Sequence, residues 1–227
     1  MRFFSLLALA ALVAAPTVIA QTTFGVKAGV QAATFTGTFD EVFDDVDGVD
    51  TQARLGFVGG VTADLGLSPN IAFRPEVLYS QKGYAVAYDG ENDEIDLEGR
   101  ITFEVDYLEV PLLIAYRQTT LSGLSYSVEL GPTLAYALST GSDCDLESDA
   151  FPNACDDVND EGQFDDRVQD LDVGGAIGAT VGSGPFNVGL RYTQGFTNAL
   201  DAEFEGDDRT ARNSVFSASL IYKLGAR

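Results

Sequence analysis

The chain has 227 residues, with 35 Asp and Glu against 13 Lys and Arg and a formal net charge of −22. Phosphate recognition needs clustered Lys and Arg, so this balance argues against a nucleic-acid partner. There is no His, which removes Ser-His-Asp chemistry and with it any His-dependent lipase, deacylase or protease.

Met1-Arg2 precedes an apolar run from Phe3 to Val13, and small residues follow up to Ala20. This pattern predicts a signal peptide over residues 1–20, cleaved after Ala20. The run is shorter than the ~20 apolar residues that span a bilayer as a helix. No later segment is apolar enough to span as a helix. Cys144 and Cys155 are the two cysteines. In an exported chain a pair of this kind predicts one disulfide closing a short loop. A metal site would need further Cys or His.

A first strand is predicted from about Thr22 to Phe35, with Phe24, Val26, Ala28 and Val30 on one face and Lys27 and Gln31 on the other. An acidic connection, Asp40–Asp50, follows. The next stretch, Ala53–Tyr84, reads as two long strands around the Ser68-Pro69-Asn70 turn. Leu55, Phe57, Val61, Ala63 and Leu65 share one parity of its first strand, and Gly56, Gly60, Thr62 and Asp64 the other. Ile71, Phe73, Val77 and Tyr79 oppose Arg74, Glu76, Ser80 and Lys82 on its second. Period 2 places such sets on opposite faces.

A second acidic loop is expected over Tyr88–Gly99. A fourth strand follows over Arg100–Arg117. Its apolar residues are odd at Ile101, Phe103 and Val105 and even from Leu108 to Ile114, which predicts a β-bulge near Asp106 and Tyr107. The fifth strand, Leu124–Ser139, puts Tyr126, Val128, Leu130, Leu134, Tyr136 and Leu138 outward and Glu129 inward. A long connection, Gly141–Val168, carries both cysteines. The sixth strand, Gln169–Val181, contains Gly174, Gly175 and Gly178, which suit a tight bend or close approach. Strands over Phe186–Thr197 and Ala211–Leu224 complete the set. Phe24, Tyr79, Tyr84, Tyr116, Tyr126, Tyr136, Tyr192 and Tyr222 are candidates for interfacial girdles.

Eight strands are joined by connections that alternate long and short. The four long ones hold 27 of the 35 acidic residues, whereas several of the few basic residues, Lys27, Arg74, Lys82, Arg117, Arg191 and Lys223, fall on inward parities. Long external loops, short turns and an even strand count predict an eight-stranded antiparallel up-and-down transmembrane β-barrel over residues 21–227. A soluble barrel would reverse the polarity of its two faces.

The segments GFVGGVTADLGLSPNIAFRPEVLYSQKGY, YLEVPLLIAY, ELGPTLAYALS and GPFNVGLRYTQGFTN resemble the PorT-like outer-membrane β-barrel proteins of the Bacteroidetes. The resemblance extends over essentially the whole of residues 21–227. Its most specific parts are the RPE-x-x-YSQKG and YLE-x-PLL segments. It implies an outer-membrane barrel and no single activity. The family's eponymous member is tied to protein secretion and maturation.

An eight-stranded barrel has a bore just wide enough for side chains to fill. Arg74, Glu76, Lys82, Glu109, Arg117, Glu129 and Arg191 take inward parities, and a paired lumen network is expected from them, with Arg74 and Arg117 bridging Glu76, Glu109 and Glu129. Structural pairing is a better use of these carboxylates than catalysis, for want of an apolar cleft. Asp45–Asp50 and Asp156–Gly162 suggest calcium loops but lack the full ligand spacing and closing Glu. They read as solvated acidic loops capable of weak divalent-cation binding. No cofactor is expected. The expected partners are outer-membrane lipid and an extracellular or envelope protein met through the loops. The expected role is a non-enzymatic membrane scaffold or surface interaction protein. The alternative is a narrow transport channel or an accessory barrel of a secretion system.

Overall fold

A computed structural model describes residues 22–37, 49–92, 95–147, 155, 168–199 and 210–225. The predicted signal peptide lies outside the described residues, as does most of the sequence of the first, third and fourth long connections. The strands are β1 (Thr22–Thr36), β2 (Val49–Gly66), β3 (Ile71–Asn92), β4 (Ile95–Thr119), β5 (Leu124–Glu147), β6 (Leu171–Ser183), β7 (Phe186–Gly195) and β8 (Arg212–Leu224). Each pairs antiparallel with the next, and β8 pairs back onto β1, so the sheet closes into an eight-stranded barrel. Closure leaves no free sheet edge, which a lipid environment requires.

Three short turns gather at one end of the barrel. Between β2 and β3, the Leu67 and Ser68 amides donate to the Ile71 carbonyl at 2.9 and 3.0 Å. Between β6 and β7, Gly184 takes φ +59°. A side chain disfavours that conformation, and Pro185 supplies the negative φ of the second turn position.

The two faces have the polarity of a membrane barrel. Val30, Leu130 and Leu190 are 63–65% exposed, whereas Glu76 and Lys82 are 1% and 2% exposed. A continuous outer belt of Leu, Val, Ile and Phe would be poorly solvated by water, and lipid is its natural solvent. Tyr126 and Tyr136 point outward from β5, ten residues apart. At ~3.4 Å per residue and ~40° tilt they bracket about 25 Å, the height of such a belt. Phe186 pairs with Tyr222 near the short turns, and Tyr192 with Phe216 farther along the wall, with ring centroids 5.2 and 4.7 Å apart.

Several expectations are corrected. Tyr84 is not a girdle residue: it is 5% exposed, stacks inside on Phe103 and meets Phe35 at a tilt. Tyr88–Gly99 is not a loop but the end of a β3–β4 hairpin, paired from Tyr88↔Gly99 to Asn92↔Ile95. β5 continues to Glu147, so Cys144 sits on a strand. The β4 parity does not switch, because Val105, Tyr107 and Glu109 are all buried. The register shift does fall at Asp106/Tyr107, but the extra residue is Leu138 on β5, since Asp106 faces Ser139 and Tyr107 faces Ala137.

Candidate functional site: an ion-paired lumen

The inward residues stack in layers along the bore. Nearest the long connections is an apolar cluster of Phe35, Tyr84, Val86, Ala199 and Ala211, with Phe103 packed against it. Val105, Tyr107 and Ala135 form a second apolar patch. The Lys82 ammonium lies 4.8 Å from the centroid of the Tyr107 ring, within cation–π range. It also pairs with Glu109 at 3.1 Å and Asp172 at 3.5 Å. Asn213 Nδ2 donates to Asp172 at 2.9 Å, tying β8 into this layer.

The central layer is built around Glu76. Arg191 Nη1 and Nη2 donate to its two oxygens at 2.7 and 2.9 Å, and Lys27 donates at 3.1 Å. Arg191 Nε donates to Glu129 at 3.0 Å. Arg74 bonds the other oxygen of Glu129 and donates to Asp64 at 2.5 Å. Lys223 meets Asp64 at 3.3 Å. Charge-assisted bonds of this kind offset part of the desolvation cost of burying ions.

The small residues of β6 make this packing fit. A Cβ on Gly178 would lie 3.1 Å from Glu129 Oε1 and 3.3 Å from Arg191 Cβ. On the outer face a Cβ on Gly175 would meet the Phe196 ring at 2.9 Å. The β6 glycines are therefore sites of close approach.

The structure brings Arg74, Glu76, Glu129 and Arg191 into one cluster, while Lys82 and Glu109 belong to another. Arg117 joins neither. It points into a cavity at the short-turn end and has no ion pair among the described residues. The bridging role expected of it is corrected: β4 carries it past the carboxylate layers toward the Thr120–Gly123 turn. Arg74 reaches Glu129 but neither Glu76 nor Glu109. Lys27, Asp64, Asp172 and Lys223 complete the clusters. Lys27, Asp64 and Lys223 had shown the right parity, whereas Asp172 had given no signal beyond being a charge within a strand. Cys144 is bonded to Cys155.

Chemically, Asp64, Glu76, Glu109, Glu129 and Asp172 are each held in an ion pair, whereas Arg117 is left over among the described residues. No group of three or more metal-ligating side chains occurs among the described residues.

Residues 19–201 match the family model described as "Outer membrane protein beta-barrel domain". The chain belongs to that family. This outer-membrane β-barrel protein is accordingly located in the outer membrane. Its chain is similar to several solved structures. Neisserial surface protein A is 12% identical, with 90% of this chain and 99% of that one covered at a TM-score of 0.41. OprG from Pseudomonas aeruginosa is 15% identical, with coverage of 90% and 96% and a TM-score of 0.42. The attachment invasion locus protein Ail of Yersinia pestis is 11% identical, with coverage of 90% and 99% and a TM-score of 0.38. No curated protein matches the chain in sequence.

Proposed function

We propose that this barrel is a non-enzymatic outer-membrane scaffold or surface interaction protein with a closed bore, of the PorT-like kind that its sequence segments resemble. The observation that carries the reading is the Arg191–Glu76 bond. β3 and β7 stand opposite one another in a ring of eight, so this bidentate pair crosses the bore. A continuous water path would have to pass that bridge and the Phe35–Tyr84–Phe103 cluster. With transport disfavoured by this packing, the long acidic connections are left as the interacting part. They face outside the cell in this reading, with both ends of the barrel domain and the short turns on the periplasmic side. Single-channel recording in planar bilayers tests the reading. Silence is the expected outcome, and reproducible unitary steps would favour a transport channel.

A further inference from the structure

The cavity at the short-turn end has a lining unlike the rest of the molecule. In a chain with 35 acidic residues against 13 basic ones, this cavity of about 320 Å³ is lined by Arg74, Arg117 and Lys223 and by no carboxylate. That volume is at the lower end of ordinary small-molecule sites.

The ion pairs just beneath leave positive charge over. Around Glu76 four cations (Lys27, Arg74, Arg191, Lys223) face three carboxylates (Asp64, Glu76, Glu129), and Arg117 adds a fifth charge. The next layer reverses the sign, with Lys82 facing Glu109 and Asp172.

A second observation points to a ligand: Arg117, which lines the cavity, has no ion-pair partner among the described residues. Asn187, 3% exposed, lines the same cavity, and its Nδ2 has no hydrogen-bond partner among the described residues. Its Oδ1 lies 3.5 Å from Ser125 Oγ, and because Nδ2 itself touches no open space, it reaches a cavity ligand only after its amide turns.

From these features we infer that the short-turn cavity binds a phosphate group. Its positive charges come from separate strands: Arg74 on β3, Arg117 on β4 and Lys223 on β8. A carboxylate offers two oxygens to such a set, whereas a phosphate offers three or four and matches Arg geometry bidentately. The group arrives either as a free phosphate or phosphate monoester, or on a phospholipid headgroup at the neighbouring membrane surface.

The test uses the full-length barrel in a phospholipid-free, phosphate-free detergent, with inorganic phosphate followed by 31P NMR line width. Saturable binding is expected, weakened about tenfold or more by Arg117→Gln, as loss of a charged bidentate donor implies. Arg54→Gln, a change away from the cavity, should leave binding unaltered. Arg117 makes no ion pair among the described residues, so its variant should unfold at the same midpoint as the parent without phosphate. Nanodiscs then separate the sources. Loss of phosphate binding in phosphatidylglycerol discs but not in phosphatidylcholine discs assigns the site to an anionic headgroup, and retention in both assigns it to free phosphate. Absence of saturable binding in detergent, or equal binding by Arg117→Gln, overturns the inference.

Discussion

Arg191 on β7 and Glu76 on β3 are separated by 115 positions in sequence and by the full width of the ring, yet the guanidinium grips both carboxylate oxygens. The two walls are therefore joined through the bore as well as around it. Inter-strand hydrogen bonds alone fix neighbours; this pair also fixes the distance between opposites. Glu129 on β5 accepts from Arg191 as well, so three strands converge on one guanidinium.

Glu76 is the one carboxylate that Lys27 meets among the described residues. Glu76→Leu should therefore strand a buried ammonium, at a cost of ~3–5 kcal/mol. Lys27→Met combined with Glu76→Leu removes both charges and should recover a clear part of that loss. The chain has no Trp, so unfolding is best followed by circular dichroism and heat-modifiable mobility in detergent. Simple addition of the two single effects would show that the pair is not coupled.

Arg74 and Glu109 should behave oppositely. Arg74 pairs with Asp64 and Glu129, while Glu109 pairs with Lys82, and the two share no partner. Their alanine variants are expected to add within ~0.5 kcal/mol in the double mutant. A coupling above ~1 kcal/mol would mean that the two clusters communicate.

This partition explains what the sequence could reveal. Parity identified the inward residues of β3 and β5, because one greasy and one polar face leave a period-2 trace. Partnership was not legible, since closure brings β7 onto β3 and no local spacing records that. The β4 misreading has a more specific cause. Within the membrane belt apolar residues face out, as Leu108 and Ile114 do. Beyond the belt the outside is aqueous, and the pattern inverts: Val105 and Phe103 turn in while Glu104, its side chain 47% exposed, turns out. A change of solvent along one strand thus imitates a change of parity. Tyr84 misled for the same reason. It lies beyond the belt, where an aromatic packs inside.

Cys144 lies on β5 near its end, so the bond to Cys155 anchors a point eleven residues further along the chain to the strand. Chain-entropy reasoning gives up to ~3 kcal/mol for a loop of this order. Alkylation of exported protein without reductant should label neither thiol. Cys144→Ser with Cys155→Ser should leave the barrel's unfolding midpoint nearly unchanged while increasing proteolysis within residues 141–168. A large fall in the midpoint would show that the bond supports the barrel itself.

Orientation has its own test. Protease added to intact cells should cut within residues 141–168 and spare Ser68-Pro69-Asn70, which closes the short β2–β3 turn. Cutting confined to that turn would reverse the assignment of the two ends.

Two of the layers in the bore, the Arg191–Glu76 bridge and the apolar cluster, stand in series, and this sets what conductance should do. Glu76→Ala with Arg191→Ala removes the bridge but leaves Phe35, Tyr84 and Phe103 packed at the other level. Tyr84→Ala with Phe103→Ala opens the apolar level but leaves the bridge. Resistances in series are governed by the larger, so each pair of substitutions alone should stay silent in planar bilayers. All four together still leave Lys82, Glu109, Asp172 and Tyr107 packed between the two levels, so unitary steps are expected only when Lys82→Ala and Tyr107→Ala are added and heat-modifiable mobility shows that the barrel still folds. The shapes of the two levels support different losses on the way. The apolar pair forfeits ~3–5 kcal/mol per aromatic, whereas the bridge pair strands Lys27 but leaves Glu129 with Arg74. Steps from the bridge variant alone would place the whole closure on Arg191 and Glu76. Steps from the unmodified barrel would sink the closed-bore reading altogether.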